Sequence, residues 1–275
     1  MKKIIVPIDF SDGAFNALIH ALQYAQKLHY SVEVLHAFML PPTGTAVMVD
    51  ITDVLKKNAM EELSRLRKKV SALPLAEQVS INYQAEHGTV VDVINRAAAK
   101  DPAAALVMMG TQGASGITEK WLGSNTAAAA RNVHIPLLAI PADKPFKTPK
   151  RIIFSTDLKV LQSTKQLEVV AHMAHIFECD VKFIHVRKRG DDANGERSGA
   201  FKEQVAAAFG EHEVTFAFLF DNDVEAGIKD AVETDRADML VLVRHEYGFF
   251  ESIFHSSVTQ QIVNSAALPI LVIRG

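Results

Sequence analysis

The chain has 275 residues, about twice the ~100–200 of a typical domain, so two domains are expected. Apolar residues make up 48% and charged residues 22%, a balance that lets each half bury a core without disulfide staples. A net charge of −3 and a pI near 6.4 exclude a global basic field for nucleic acid or anionic lipid, and the lone Cys179 excludes an internal disulfide framework. No apolar run approaches the ~20 residues that cross a bilayer. Met1 to Pro7 begins basic and then apolar, as a secretion signal does. Asp9 and Asp12 interrupt that stretch, and no small-residue cleavage site follows. The expectation is a cytoplasmic protein with neither nucleic acid nor membrane as partner.

In chain order, Ile4 to Ile8 is a short β-branched run of the kind buried on both faces of a parallel sheet. Ser11 or Asp12 can cap a helix whose apolar positions include Phe15, Leu18, Ile19, Leu22 and Ala25. Val32 to His36 is the next strand. Val54 to Leu73 is a long amphipathic helix, with Glu61 and Glu62 interleaved among its lysines and arginines as on a solvated face. Val79 to Glu86 alternates, Val90 to Ala99 is helical, and Leu106 to Met109 is a buried strand. Thr126 to Asn132 gives a last helix and Leu137 to Ile140 a last strand. This order predicts an α/β fold: an open, mostly parallel five-stranded sheet with helices on both faces. Ligands bind such sheets beyond the carboxyl ends of strands, where the strand order reverses. The site is therefore expected after Ile8, after His36 and after Met109.

The chain then repeats itself. Lys3-Ile4-Ile5-Val6-Pro7-Ile8-Asp9-Phe10 returns as Arg151-Ile152-Ile153-Phe154-Ser155-Thr156-Asp157-Leu158. Val32 to His36 returns as Val181 to His185, Ala104 to Met109 as Asp238 to Val243, and Ile135 to Ile140 as Leu268 to Ile273. His36 aligns with His185 and Leu106 with Leu240, so the second copy is roughly 15 residues shorter between those points. Pro141 to Lys150 carries three prolines and three lysines, a polar linker composition. The expected division is 1–141, a linker over 142–150, and 151–275.

After Met109 comes Gly110-Thr111-Gln112-Gly113-Ala114-Ser115-Gly116, and later Trp121-Leu122-Gly123-Ser124-Asn125-Thr126 opens a helix. Such glycines let backbone N–H groups approach an anion, and a helix N-terminus adds its positive dipole end. The hydroxyls of Ser124 and Thr126 can donate to phosphate oxygens. The loop is neither a Walker loop nor G-x-G-x-x-G. On its own it fits equally well a glycine-rich turn whose hydroxyls merely cap a helix.

The spacing Gly110-x2-Gly113-x9-Gly123-Ser124, after a strand and before a helix ending in Ile135-Pro136-Leu137-Leu138, resembles the ATP-binding motif of the universal stress protein family. The opening Ile5-Val6-Pro7-Ile8-Asp9-Phe10-Ser11 and the strand end Leu35-His36-Ala37 are similar to that family too. The resemblance covers both copies and implies a tandem, Rossmann-like, adenine-nucleotide-binding chain. It implies ATP, with or without Mg²⁺, held by Pro7, Asp9, Ala37, Met109, Gly110, Gly113, Gly123, Ser124, Asn125 and Thr126. Within that set, Gly110, Gly113, Gly123, Ser124 and Asn125 would hold phosphates and ribose. Asp9 would lie beside the nucleotide, and Ala37 would meet the adenine edge through its backbone. A helix cap is the competing explanation for Asp9, although Ser11 and Asp12 are better placed for that.

The second copy keeps Asp157, Ser257 and Thr259, but Gly110 becomes Arg244, Gly123 becomes Ser256, and Gly113 falls on Glu246 or Tyr247. Side chains there would block backbone approach to a polyphosphate, so this copy is expected to be a structural partner with a degenerate motif. Arg244 leaves a different anion open. The function implied is stress response through nucleotide-dependent conformation or partner binding, with ATPase activity weak at most. A slow ATP hydrolase or nucleotidyl-transferring enzyme on the same fold is the alternative, disfavoured by the missing P-loop lysine and carboxylate pair. Because single-copy relatives are described as dimers, the terminal strands Leu137 to Ile140 and Ile270 to Ile273 are expected to pair, making the chain its own dimer. A further homodimer has no sequence signature.

Other candidates carry less. His172 and His175 share a helix face without a third metal ligand. His36 and His185 suit structural hydrogen bonds. Cys179, between Glu178 and Asp180, lies in the wrong field for a thiolate nucleophile.

Overall fold

The computed structural model describes residues 1–40, 48–111, 123–161, 163–187, 195–244 and 268–275, with the side chains of 48–51 and 195–197 left aside. The chain divides after Phe146 into two compact units. Unit 1 runs β1 (Lys3–Pro7), α1 (Asp12–Leu28), β2 (Ser31–Phe38), α2 (Met48–Ser71), β3 (Ile81–His87), α3 (Val90–Lys100), β4 (Ala104–Gly110), α4 (Ser124–Asn132) and β5 (Leu137–Ile140). Unit 2 runs β6 (Arg151–Ser155), α5 (Lys165–Phe177), β7 (Asp180–Arg187), α6 (Gly195–Phe209), β8 (Val214–Phe220), α7 (Val224–Thr234), β9 (Met239–Arg244) and β10 (Ile270–Arg274).

Within unit 1 the strands lie in the order β3-β2-β1-β4-β5, all parallel, with Ile5 beside Glu33 on one flank and Val107 on the other. Unit 2 repeats it as β8-β7-β6-β9-β10. The order reverses between β1 and β4, and between β6 and β9, which sets the expected ligand crevice at the carboxyl ends of those strands. Each central strand is sealed on both faces, so Ile4, Ile5 and Val6 are wholly buried. The apolar stripe of α1 (Ala14, Ala17, Leu18, Ala21, Leu22, Ala25) lies against the sheet as its 3.6-residue period requires. Helix α2 starts before the predicted Val54. Thr52 and Asp53, both cap-forming types, stand inside it.

The two cores differ in filling. Unit 2 centres on aromatic rings, with Phe183 lying 4.6 Å from Phe154, 5.9 Å from Phe201 and 5.0 Å from Phe216. The positions matching Phe154 and Phe183 in unit 1 hold Val6 and Val34.

At the amino end of the sheet, Lys3 bridges Glu33 of β2 at 2.7 Å and Asp101 at 2.6 Å. Burial alone would lower the Lys3 pKa, but its hydrogen bonds to Asp101 and Glu33 hold it above the ordinary lysine value. In unit 2 the matching contact is Lys182 to Asp235 at 2.7 Å, so the position of the cation has moved to the neighbouring strand.

The segment expected to be a polar linker is fastened at both ends. Asn16 donates to the carbonyls of Pro141 and Lys144, His20 contacts the Lys144 carbonyl at 3.0 Å, and Phe146 packs edge-on against His20 and Tyr24. Within unit 2, Asp238 accepts from Lys147 and from the backbone N–H of Lys150 and Arg151.

Candidate functional site

The site of unit 1 is built where the chain leaves β1, β2 and β4. Pro7 is buried as the last residue of β1, and the Ile8 N–H donates to the Leu35 carbonyl at 2.9 Å. Phe10 then adopts a left-handed backbone with φ +62°, an uncommon conformation for a bulky side chain. Leu158 repeats it, also at φ +62°, in unit 2. Such local strain persists only where surrounding bonds over-determine it. Here the Asp9 carboxylate accepts from the Ser11 N–H at 3.1 Å and from its hydroxyl at 2.5 Å. Ser11 in turn caps α1 by accepting from the Ala14 N–H. Asp9 therefore orients the cap of α1 without being the cap.

Met109 is buried near the end of β4, and Gly110 follows it. A Cβ on Gly110 would stand 2.5 Å from the Gly13 carbonyl oxygen and 3.2 Å from the Ala14 nitrogen. Glycine is thus required here for packing against the first turn of α1, a reason different from the expected approach of its N–H to phosphate. Unit 2 accounts for the change to Arg244. Its helix α5 begins only at Lys165, well past the position matching Asp12. The intervening chain is tied instead to α6, where Gln204 exchanges hydrogen bonds with the backbone of Leu161.

The Thr126 hydroxyl, a candidate phosphate donor by its position, is buried and donates to the Gly110 carbonyl at 2.7 Å. It ties α4 to the end of β4. Gly123 is the N-cap of α4, and its own N–H donates to the Thr111 carbonyl. Thr111 donates in turn to the carbonyl of Ile140 in β5 at 2.8 Å. Gly110, Thr111, Gly123 and Thr126 therefore form one hydrogen-bonded frame. Ser124 and Asn125, the first helical residues, are exposed beyond it. No side chain among the described residues caps α4, whereas Ser11, Thr89 and Asp223 cap α1, α3 and α7. The peptide N–H groups that open a helix have no intrahelical acceptor, so this turn presents donors and the positive end of the helix dipole.

Ala37 lies near the end of β2, half-buried, in register with Glu86 of β3. It stands two strands from β4, with β1 and Asp9 between. Gly113 lies outside the described residues, as do Glu246, Tyr247, Ser256, Ser257 and Thr259. In unit 2, Asp157 is paired with Lys159 at 2.7 Å, so the carboxylate matching Asp9 is neutralised locally.

One structural residue that the site rests on had a weak signal. His36 lies two residues before the end of β2, and its Nδ1 lies 2.8 Å from the Ile8 carbonyl oxygen. Its ring sits 4.7 Å from that of Phe10. Between the turn after β1, α1 and α2, a recess of about 170 Å³ is lined by Ile8, Phe10, Asp12, Phe15, Glu62, Arg65, Leu66 and Lys69.

A parallel α/β unit with an uncapped glycine-led helix beside its strand-order reversal is the architecture of adenine-nucleotide-type open-sheet folds. The sequence profile of the universal stress protein family matches residues 1–141 and again 149–274, and the chain belongs to that family. It is 30% identical over 151 residues to a universal stress protein of Methanocaldococcus jannaschii, covering 52% of this chain and 84% of the relative. A universal stress protein of Archaeoglobus fulgidus superposes with a TM-score of 0.72 at 19% identity, covering 99% of this chain and 98% of that one. A putative universal stress protein of Pseudomonas aeruginosa superposes with a TM-score of 0.59 at 11% identity, covering 100% and 93%. These two likenesses concern the fold. Among the described residues no helix is long and apolar enough to cross a membrane.

Proposed function

We propose that unit 1 binds one adenine nucleotide, ATP, with its phosphates at the N-terminus of α4, and that the chain acts in the cytoplasm as a nucleotide-dependent stress-response regulator. The observation that carries this reading is the first turn of α4. Its glycine cap supplies no side-chain acceptor, so the turn's N–H groups are available to an anion. Exposed Ser124 and Asn125 add a hydroxyl and an amide beside them. Gly113 would complete the cradle, Asp9 would face the ribose, and the Ala37 backbone would face adenine. The Asp9 carboxylate, already bonded to Ser11, offers a poor ligand set for Mg²⁺, which would arrive on the nucleotide's own phosphates.

Regulation fits better than turnover. Among the described residues of unit 1, the end of β4 and the start of α4 hold neither a lysine nor a carboxylate pair. Unit 2 serves as the structural partner, and β5 and β10 associate within one chain.

Equilibrium titration of the full chain with labelled ATP tests the reading. One ATP per chain is expected, with binding lost in Gly123→Leu. Two equal sites, or none, would overturn it, and rapid multiple turnover would move the protein to the enzyme class. Cysteines placed singly in β5 and β10 of a Cys179→Ala protein should cross-link within one chain, and cross-links only between chains would refute the pairing.

A further inference from the structure

The strand pair β7–β8 ends in a group that unit 1 lacks. The register sets His185 opposite Phe218 and Arg187 opposite Phe220. Alternate residues of a strand share a face, so Arg187, Phe218 and Phe220 lie together on one side of the sheet. The Arg187 guanidinium stands 4.3 Å from the Phe218 ring centre and 6.0 Å from that of Phe220. His185 meets Phe218 edge-on at 6.3 Å. In unit 1 the matching pair is Phe38 opposite His87, a contact with no cation.

Two features of this group are unspent. Phe220 is 73% exposed and Phe218 38%, whereas on the same face Phe183 is buried and Phe216, stacked on it, is half-buried. Arg187 forms no ion pair among the described residues, and its buried Nε has no hydrogen-bond partner. The neighbouring Asp221 meets Arg187 through the backbone. The Asp221 N–H donates to the Arg187 carbonyl, while its carboxylate accepts from the Asp223 N–H at 2.9 Å. A partly buried guanidinium without a carboxylate is uncommon, since desolvating a charge costs free energy that a partner normally offsets. The contact with the Phe218 ring holds the guanidinium by cation–π attraction and makes no use of its N–H donors as hydrogen-bond donors to an acceptor oxygen. Those donors match a carboxylate, and the exposed face of Phe220 matches a flat ring.

We propose that Arg187, Phe218 and Phe220 form a binding site for a small planar anion of the aromatic carboxylate class. The ring would lie on Phe220 and the carboxylate would take the guanidinium edge. Among the described residues this surface offers one cation and one open ring, which fits a single small molecule and not an extended chain. The site stands apart from the nucleotide reading of unit 1 and does not depend on it.

Calorimetric titration of the full chain with 2-naphthoate, against the neutral 2-naphthamide, tests the proposal. One saturable site is expected for the acid, weakened at least tenfold in the amide, in Arg187→Gln and in Phe220→Ser. Saturating ATP should leave it unchanged. Phe220→Ser alters an exposed ring and keeps the thermal transition, so it decides the matter if Arg187→Gln fails to fold. Any of four results would overturn the proposal: no saturable binding, equal binding of acid and amide, binding retained in Phe220→Ser, or displacement by ATP.

Discussion

The Nδ1 of His36 lies 2.8 Å from the carbonyl oxygen of Ile8, joining the end of β2 to the chain leaving β1. A carbonyl only accepts, so Nδ1 carries the proton and a neutral ring keeps Nε2 bare. Unit 2 repeats the bond between His185 and the Thr156 carbonyl at 2.8 Å. Both bonds immediately precede the left-handed residue, Phe10 or Leu158, and so help to hold the strained turn in place. Because unit 2 keeps the bond while its glycine motif is lost, the histidine serves the turn, and under the proposed function it bears on the nucleotide only through that turn.

Removing that bond should separate the two roles. His36→Ala should cost about 1 kcal/mol of stability, the worth of a typical hydrogen bond, as measured by urea denaturation. It should also weaken ATP binding by releasing Asp9. His185→Ala should cost similar stability and leave ATP binding intact. Equal losses of affinity in both variants would contradict this division.

Gly110→Ala should destabilise unit 1, because the added Cβ meets the backbone oxygen of Gly13 at 2.5 Å with no flexible side chain to yield. Overpacking of this kind costs about 1–3 kcal/mol. The expected signature in urea is a lower midpoint with an unchanged slope. An alanine variant as stable as wild type would show that α1 can withdraw from β4.

The Cys179 thiol is buried, donates to the Pro149 carbonyl at 3.2 Å, and is pushed up to about 12 by burial. Thiol reagents react with the thiolate. Native protein at pH 8 should therefore resist Ellman's reagent over minutes, while one equivalent reacts at once in denaturant. Fast labelling of the native chain would refute the burial.

How much of this was legible in sequence depends on the range of the interaction. The alternation of strands and helices followed from periodicity, since Ile4 to Ile8 and Leu106 to Met109 carry their own burial signal, and the second copy from the chain's likeness to itself. The frame of the site did not. That Gly110 must be glycine depends on α1 starting at Asp12, and that Thr126 faces Gly110 depends on the angle of α4 to β4. Neither is written in local spacing. A motif resemblance places both residues at the carboxyl end of the sheet and implies ligand contact, and the packing gives each a supporting role that the motif does not express. The Arg187 group was missed because its members are joined only by strand register.

The last prediction concerns His20, which is 2% exposed on the face of α1 that holds the segment after β5. Its Nε2 lies 3.0 Å from the Lys144 carbonyl, so Nε2 bears the proton, and the buried Nδ1 has no partner among the described residues. Around it stand the rings of Tyr24 and Phe146. Strands β4 and β5, packed on α1, carry no titratable side chain, and Asp143 and Lys144 are exposed. Burial lowers the His20 pKa below its ordinary 6.5, and the bond to Lys144 only partly opposes that. The unfolded chain therefore takes up a proton near pH 6.5 that the folded chain refuses. The contribution of His20 to stability is full above that pH and is lost as pH falls from 6.5 through the lowered folded value. His20→Gln keeps a donor for Lys144 without a titrating ring, so its melting temperature should fall less than that of wild type between pH 7.5 and 5.5. Parallel melting profiles for the two proteins would show that His20 takes up its proton without loosening the segment it holds.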